Sequence, residues 1–241
     1  MVGALLKEEA RMNAAKEREE GREPGKTMVV SIMPCTAKKA EITRPEHFTD
    51  GEQNVDYVLT TTEITRMIQE AGIDLAQVQP EALDMPFGLS SGAGAIFGVT
   101  GGVTEAVLRR LINSSRAEDL EEISFSGIRG VDGIKEAKVN LNGREVKIAV
   151  VNGLHCAEDL LDKMKAGEVH YDFVEVMACK RGCIAGGGQP VPIGPRTKKA
   201  RLEGIYKIDS MAQIKLSNEN PIIAEVYGGI LKGKEHKLLH N

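Results

Sequence analysis

The stretch "VEVMACKRGCIAGGGQP", residues 174–190, joins a strand-forming run to two cysteines and then to three consecutive glycines. Val174, Val176 and Met177 favour an extended chain, so Cys179 is expected just past the end of a strand. In an open α/β sheet that is where ligands bind. Cys183 follows four positions later, and Gly186, Gly187 and Gly188 then leave the backbone without side chains. Soft thiolates select zinc or iron-sulfur clusters, and bare backbone beside them lets N–H groups approach the cluster sulfurs. The spacing matches neither a zinc ribbon nor a bacterial ferredoxin run. On spacing alone, a metal site and a pair of small buried thiols both stay open.

Outward from this stretch, strands and helices alternate. "CAEDLLDKMKAG" (156–167) reads as an amphipathic helix closing at Gly167, which returns the chain to the strand "YDFVEVM" (171–177). Before it, "IKEAKVNLNGREVKIAVVNG" (134–153) reads as a hairpin turning at Asn142-Gly143, and "ISFSGIRG" (123–130) as a strand. Residues 84–103, "DMPFGLSSGAGAIFGVTGGV", read as a long Gly/Ser-rich loop opening onto the helix "TEAVLRRLINSS" (104–115). Residues 1–20 predict a helix ended by "GREPGK", and "TMVVSI" (27–32) a strand stopped by Pro34, so Cys35 also follows a strand end. "VDYVLT" (55–60) predicts a strand, and "TTEITRMIQEAG" (61–72) a helix with a Thr start, Glu63 in its first turn and Gly72 past its end. Residues 195–233 suggest two more helices with a polar connection. The pattern predicts an α/β fold, a mixed twisted sheet flanked by helices, with a helical C-terminal tail. The Pro/Gly-rich "GGGQPVPIGP" (186–195) is the one internal boundary, giving an α/β lobe over 1–190 and a helical C-terminal extension of the same domain over 191–241.

Composition excludes several classes of function. The 241 residues are 41% apolar, enough for a substantial core. With 31 Lys+Arg against 35 Asp+Glu the net charge is -4, which gives no electrostatic case for nucleic acid or an anionic membrane. No apolar run approaches the roughly 20 residues of a membrane span. Charges begin at Lys7, which leaves no signal-peptide core, so a cytoplasmic protein is expected. Four cysteines are too few for a disulfide scaffold in a chain of this length. The histidines at 47, 155, 170, 236 and 240 lack metal-ligand spacing, and "RTKKAR" (196–201) reads as a solvated helix face.

Two of these stretches, "MPCTAKKAE" (33–41) and "VEVMACKRGCIAGGGQP", resemble the second and third signature motifs of the FeFe (iron-only) hydrogenases, in order and at a similar distance. "VDYVLTTTEITRMIQEAGID", "SGAGAIFGVTGGVTEAVLRR", "RGVDGIKEAKVNLNGREVKIAVVNG" and the ending "ENPIIAEVYGGILKGKEHKLLH" resemble the same family, so the likeness covers nearly the whole chain. It implies an H-cluster, a 4Fe-4S cubane joined through one cysteine sulfur to a diiron subcluster with CO and cyanide ligands. It places Cys35, Cys179 and Cys183 among the cubane ligands, with Cys183 in the bridging place. Lys38 matches the lysine that donates to a cyanide, since a buried anionic ligand set requires a cation nearby. Met33, Met177 and Phe97 match residues packed against the diiron unit, and Glu41 a glutamate near the proton route. A solvated lysine, ordinary core filling and a surface charge are the plain structural readings of the same positions.

The departures are specific. The family's first motif, Thr-Ser-Cys-Cys-Pro, is absent from this sequence, and with it the fourth cubane ligand and the proton-passing cysteine. The chain resembles the back half of the catalytic domain, so the implied partners are the missing N-terminal half, or a separate chain supplying it, and a redox protein such as ferredoxin. Thr62 stands where the family usually has arginine, and Lys180 and Arg181 replace small or neutral residues, which would raise the potential of a cluster they face. Cys156 reads as a small, partly buried thiol rather than a fourth ligand. The implied activity is reversible hydrogen formation by a ferredoxin- or NAD-linked, anaerobic enzyme. The alternatives are an iron-sulfur assembly factor without a diiron unit, and a non-catalytic or truncated subunit that needs a partner.

Overall fold

The computed structural model describes residues 1–85, 87–112, 133–141, 143–180 and 182–239. The strand expected at 123–130, the end of the helix expected to reach 115, Asn142, Arg181 and His240 lie outside the described residues. In chain order the elements are α1 (Val2–Glu19), β1 (Val30–Met33), α2 (Ala37–Glu41), β2 (Phe48–Thr49), β3 (Glu52–Gln53), β4 (Tyr57–Thr60) and α3 (Thr61–Glu70). There follow α4 (Gly92–Ala95), α5 (Gly102–Ile112), β5 (Ile134–Leu141), β6 (Arg144–Asn152), α6 (Leu154–Lys165), β7 (Phe173–Met177), α7 (Pro195–Met211), α8 (Pro221–Gly228) and α9 (Glu235–Leu239). They form two compact units, one of Met1–Glu81, Gly187–Pro190 and Ile222–Asn241, the other of Ala82–Gly186 and Val191–Pro221.

In the first unit β1 and β4 pair in parallel, Val30 opposite Tyr57 and Met33 opposite Thr60. Pro34 cannot donate to the ladder, so β1 stops before it. α3 begins with a reciprocal cap, in which the Thr60 hydroxyl accepts from the Glu63 N–H and the Glu63 carboxylate accepts from the Thr60 N–H. That backbone donor, with Lys39, holds the Glu63 carboxyl down to about 2, so the cap stays charged in all but strongly acidic solution. α1 is fastened by a buried charge, since the Lys7 ammonium donates to the Thr27 carbonyl at 3.1 Å, Glu52 at 3.0 Å and Asp56 at 3.2 Å. Val30, Ile32 and Tyr57 lie on one face of the β1–β4 sheet and stay about half exposed.

The second unit is a three-layer sandwich. β5 and β6 are antiparallel, β6 and β7 are parallel, and α6 makes the crossover between the parallel pair. Ile148 and Val150 of β6 pack with Leu108 and Ile112 of α5 and with Phe173 of β7. Ala149 and Val151 pack with Ala157, Leu160 and Met164 of α6 and with Val174. A strand buried on both faces must be apolar without alternation, which is why "IAVV" runs unbroken. Each Ile or Val of the run contributes about 1.5–3 kcal/mol on burial.

Two expectations are corrected here. The Gly/Ser-rich segment is partly helical, with α4 and a 3-10 turn at Ile96–Gly98, and α5 starts at Gly102 rather than Thr104. The cause is packing against residues distant in sequence: the Gly92 and Ala93 N–H groups donate to the Ile214 and Lys215 carbonyls, and both residues are buried. Among the described residues the cysteine-bearing strands β1 and β7 pair in different sheets rather than one, and the mixed pairing falls in β5–β6–β7. The tail forms α7 and α8 as expected, with α9 beyond them.

A buried ion cluster ties α7 to α5. The Arg109 guanidinium donates to both Asp209 oxygens at 2.8 Å and to Glu105 at 2.6 Å. Burial opposes its charge, yet the Asp209 hydrogen bonds and the Glu105 charge outweigh that and raise its pKa. Gly92 is required beside it, because a Cβ there would stand 2.1 Å from Asp209 Oδ1.

Candidate functional site

Cys35 lies two residues past β1, half-buried, and a strap from the glycine run holds the backbone around it. The Gly188 N–H donates to the Pro34 carbonyl at 3.1 Å, and the Gly188 carbonyl accepts from both the N–H and the hydroxyl of Thr62 at 3.0 Å. A Cβ on Gly188 would stand 2.9 Å from Cys35 N and from Pro34 C, closer than real contacts allow. Glycine is therefore needed at this position for close approach to the backbone that carries Cys35. Gly188→Ala is expected to lower the stability of this unit by about 1–3 kcal/mol, the usual effect of overpacking, measurable by urea unfolding.

Lys38 and Glu41, both singled out from the sequence, are paired on α2. The Lys38 ammonium stands 2.5 and 2.6 Å from the two Glu41 carboxylate oxygens, and its side chain is 39% exposed. His47 approaches the same carboxylate at 3.8 Å. Met33, the last residue of β1, is half-buried.

In the second unit, Cys179 lies two residues past β7 and is exposed, whereas Cys183 opens a 3-10 turn and is half-buried. Between them Gly182 adopts φ +79, and a Cβ there would come within 2.9 Å of Gly98 O, Val99 Cα and Thr100 N. Both the dihedral and the space require glycine. The turn is closed by the Gly182 N–H donating to the Cys179 carbonyl at 3.0 Å, and Arg201 of α7 donates to the Ile184 carbonyl at 2.9 Å. One residue of "RTKKAR" thus holds this loop instead of facing solvent alone. The aliphatic chain of Lys180 lies over Gly153, which itself donates to the Met177 carbonyl at 2.7 Å.

Met177 is half-buried, while Phe97 is 50% exposed and so is not filling the core. Cys156 joins the apolar cluster between α6 and the sheet, as its plain reading expected. One residue that sequence reasoning passed over is Glu175. It is buried in β7, where its carboxylate accepts from the N–H groups of Gly101 at 2.8 Å and Thr104 at 2.7 Å, and from the Thr104 hydroxyl at 2.6 Å. An acid in a run of apolar strand residues was the available signal.

None of the four cysteines is joined in a disulfide. Among the described residues no three His, Cys, Asp or Glu side chains already form a metal-holding group. The donor chemistry nevertheless suits iron and sulfide: soft ligands just beyond strand ends, with the glycines that the tight backbone around them demands. Among the described residues no helix is long and apolar enough to cross a membrane.

Residues 1–187 match the family model of the iron-only hydrogenase large subunit, C-terminal domain, and residues 195–241 match that of the iron hydrogenase small subunit. The chain belongs to the iron-only (FeFe) hydrogenase family. It is 44% identical to the NADP-reducing hydrogenase subunit HndD of Solidesulfovibrio fructosivorans, over 89% of this chain and 37% of that protein. It is 45% identical to the periplasmic [Fe] hydrogenase large subunit of Nitratidesulfovibrio vulgaris, over 83% of this chain and 50% of that one. A solved structure of the [FeFe]-hydrogenase HydA, obtained in work on stepwise H-cluster assembly, superposes with a TM-score of 0.71 at 34% identity. The superposition covers 99% of this chain and 66% of HydA. Cytosolic iron-sulfur assembly component 3 of Mus musculus is more distant, at 32% identity over 90% of this chain and 47% of that protein. The chain thus spans half or less of the length of these curated relatives.

Proposed function

We propose that this chain is the C-terminal part of an FeFe-hydrogenase catalytic domain. The observation that carries the proposal is the placement of cysteines just past two strand ends, Cys35 after β1 and the Cys179–Cys183 turn after β7, within the family's motifs. An H-cluster bound there would interconvert two protons and two electrons with dihydrogen. Cys35, Cys179 and Cys183 would hold its 4Fe-4S cubane as thiolates, with Cys183 in the position shared with the diiron subcluster. Lys38 would supply positive charge and a donor N–H to the anionic ligands, with Glu41 orienting its ammonium. Met33, Met177 and Phe97 would keep water from the diiron side.

The fourth cubane ligand and the proton-passing cysteine would come from an N-terminal half carrying Thr-Ser-Cys-Cys-Pro, in the same polypeptide or in another. The shorter span of this chain relative to its relatives supports that, as does the half-exposed apolar face of β1–β4 at Val30, Ile32 and Tyr57. The two family matches leave residues 188–194 between them, which supports reading 1–190 as the α/β lobe and 191–241 as its helical extension. Lys180, exposed beside Cys179, and Arg181 would raise the potential of a cluster that they face. A cytoplasmic, anaerobic setting with a ferredoxin- or NAD-linked electron supply completes the reading. The second reading, an iron-sulfur assembly factor without a diiron unit, is supported by the likeness to the mouse assembly component.

The test is expression with the hydrogenase maturation machinery, with and without a polypeptide carrying the first motif, under strict anaerobiosis. Hydrogen turnover is expected only with the added polypeptide, and Lys38→Ala should then keep cubane absorbance and lose diiron incorporation. Turnover by the 241-residue chain alone would overturn the need for a second half. Absence of CO and cyanide infrared bands from the completed, cubane-loaded protein would favour the assembly-factor reading.

A further inference from the structure

Glu175 is a buried carboxylate to which the catalytic reading gives no task. It lies on the face of the sheet that carries Phe173, opposite Val150 of β6, and its three hydrogen bonds all go to the start of α5. A helix start presents unsatisfied N–H donors and a positive dipole end, so a carboxylate there binds firmly. The segment it fastens, Gly101–Thr104, directly follows Gly98–Thr100, against which Gly182 is packed too closely for a Cβ. The same segment reaches β6, where the Thr100 hydroxyl donates to Asn152 Oδ1 at 3.4 Å. Residues 98–104 are therefore a seat, held to β7 by Glu175 and holding the middle of the Cys179–Cys183 turn by backbone contact. Cys179 is four residues beyond Glu175, so the chain leaves the carboxylate, passes the first cysteine and comes back onto the segment that the carboxylate fixes.

We infer that Glu175 is a positioning residue for the Cys179–Cys183 turn, acting through residues 98–104. The consequence for a bound cluster rests on the ligand assignment proposed above; the mechanical link to the two thiols does not. Glu175→Gln keeps the shape but puts an amide donor against N–H donors, so at least one bond is lost. Thr104→Val approaches the same carboxylate from the helix side and removes only its hydroxyl bond.

The experiment follows alkylation of the four thiols of the full apo chain by iodoacetamide, resolved by mass spectrometry. Glu175→Gln should speed alkylation of half-buried Cys183 about tenfold, the equivalent of one hydrogen bond to a charged acceptor. Cys35 and Cys156 should keep their rates, and Thr104→Val should move Cys183 in the same direction by less. An unchanged Cys183 rate, or an equal rise at all four thiols that marks general loosening, would overturn the inference. After anaerobic reconstitution, Glu175→Gln should retain iron but shift the midpoint potential and the electron paramagnetic resonance g-values of the reduced cluster. Identical values in variant and unsubstituted protein would overturn the link to the cluster. If the thiol pattern changes as expected and the unsubstituted chain takes up no iron even with the polypeptide carrying the first motif added, the ligand assignment fails and the positioning role stands.

Discussion

Serine in place of Cys183 is expected to cut the iron and sulfide taken up on anaerobic reconstitution to less than about half, with the same result at Cys35 or Cys179. A hydroxyl stays protonated where a thiol ionises readily, and its hard oxygen is a poor ligand for iron-sulfur chemistry. The turn itself should survive, because it is held by the Gly182 N–H donating to the Cys179 carbonyl and the Arg201 guanidinium donating to the Ile184 carbonyl, bonds that no thiol makes. Cys156→Ser is the control. That thiol packs among Ala157, Leu160 and Val151, so its replacement should slightly lower stability and leave iron content unchanged. Equal iron loss at Cys156 would make it a ligand and break the proposed set.

The second large effect is on stability. Asp209→Ala should destabilise the unit that carries the Cys179–Cys183 turn by about 3–5 kcal/mol, seen as a lower urea midpoint with little change in slope. Arg109 stays protonated, and without Asp209 two of its three charge-assisted bonds vanish while the guanidinium remains buried. Among the described residues its Nε has no partner, so little compensation is at hand. Asp209→Asn should cost less, since one acceptor oxygen survives. A loss below about 1 kcal/mol for the alanine variant would mean that water reaches the guanidinium and that the fork is a surface pair. The fork also joins the small-subunit-like segment to α5, whose other end Glu175 holds.

Local patterns carried much of this into the sequence. Pro34 and the apolar runs before Cys35 and Cys179 announced both strand ends, and Thr60 with Glu63 announced the start of α3. Features made by residues far apart in sequence left weaker traces. α4 exists because Gly92 and Ala93 meet Ile214 and Lys215, and nothing within "SGAGA" declares that partner. Thr62 looked like a plain departure from the family pattern, yet its hydroxyl and N–H clamp Gly188. The glycine run 186–188 suggests access for cluster sulfurs, whereas Gly188 has its own reason in close backbone contact, as does Gly182 outside the run. The allocation of β1 and β7 to separate sheets was equally hidden, because periodicity tells which face a strand buries and not which strand it pairs with.

The double-sided burial of β6 sets a parity rule for the length of the chain. A deletion or insertion of one residue inside Ile148–Asn152 would turn Ile148 and Val150 toward α6 and swing Ala149 and Val151 toward α5. The α6 side, fitted around an alanine, has no slack for isoleucine, and the α5 side would be left with a void that alanine cannot fill. A two-residue change would restore the faces but carry Asn152 away from Thr100, and with it the end of the strand from the seat of the cysteine turn. The outer half of β6, Arg144 to Lys147, is exposed apart from half-buried Val146, which packs on the α5 side, so composition has more room to drift there than in the buried half.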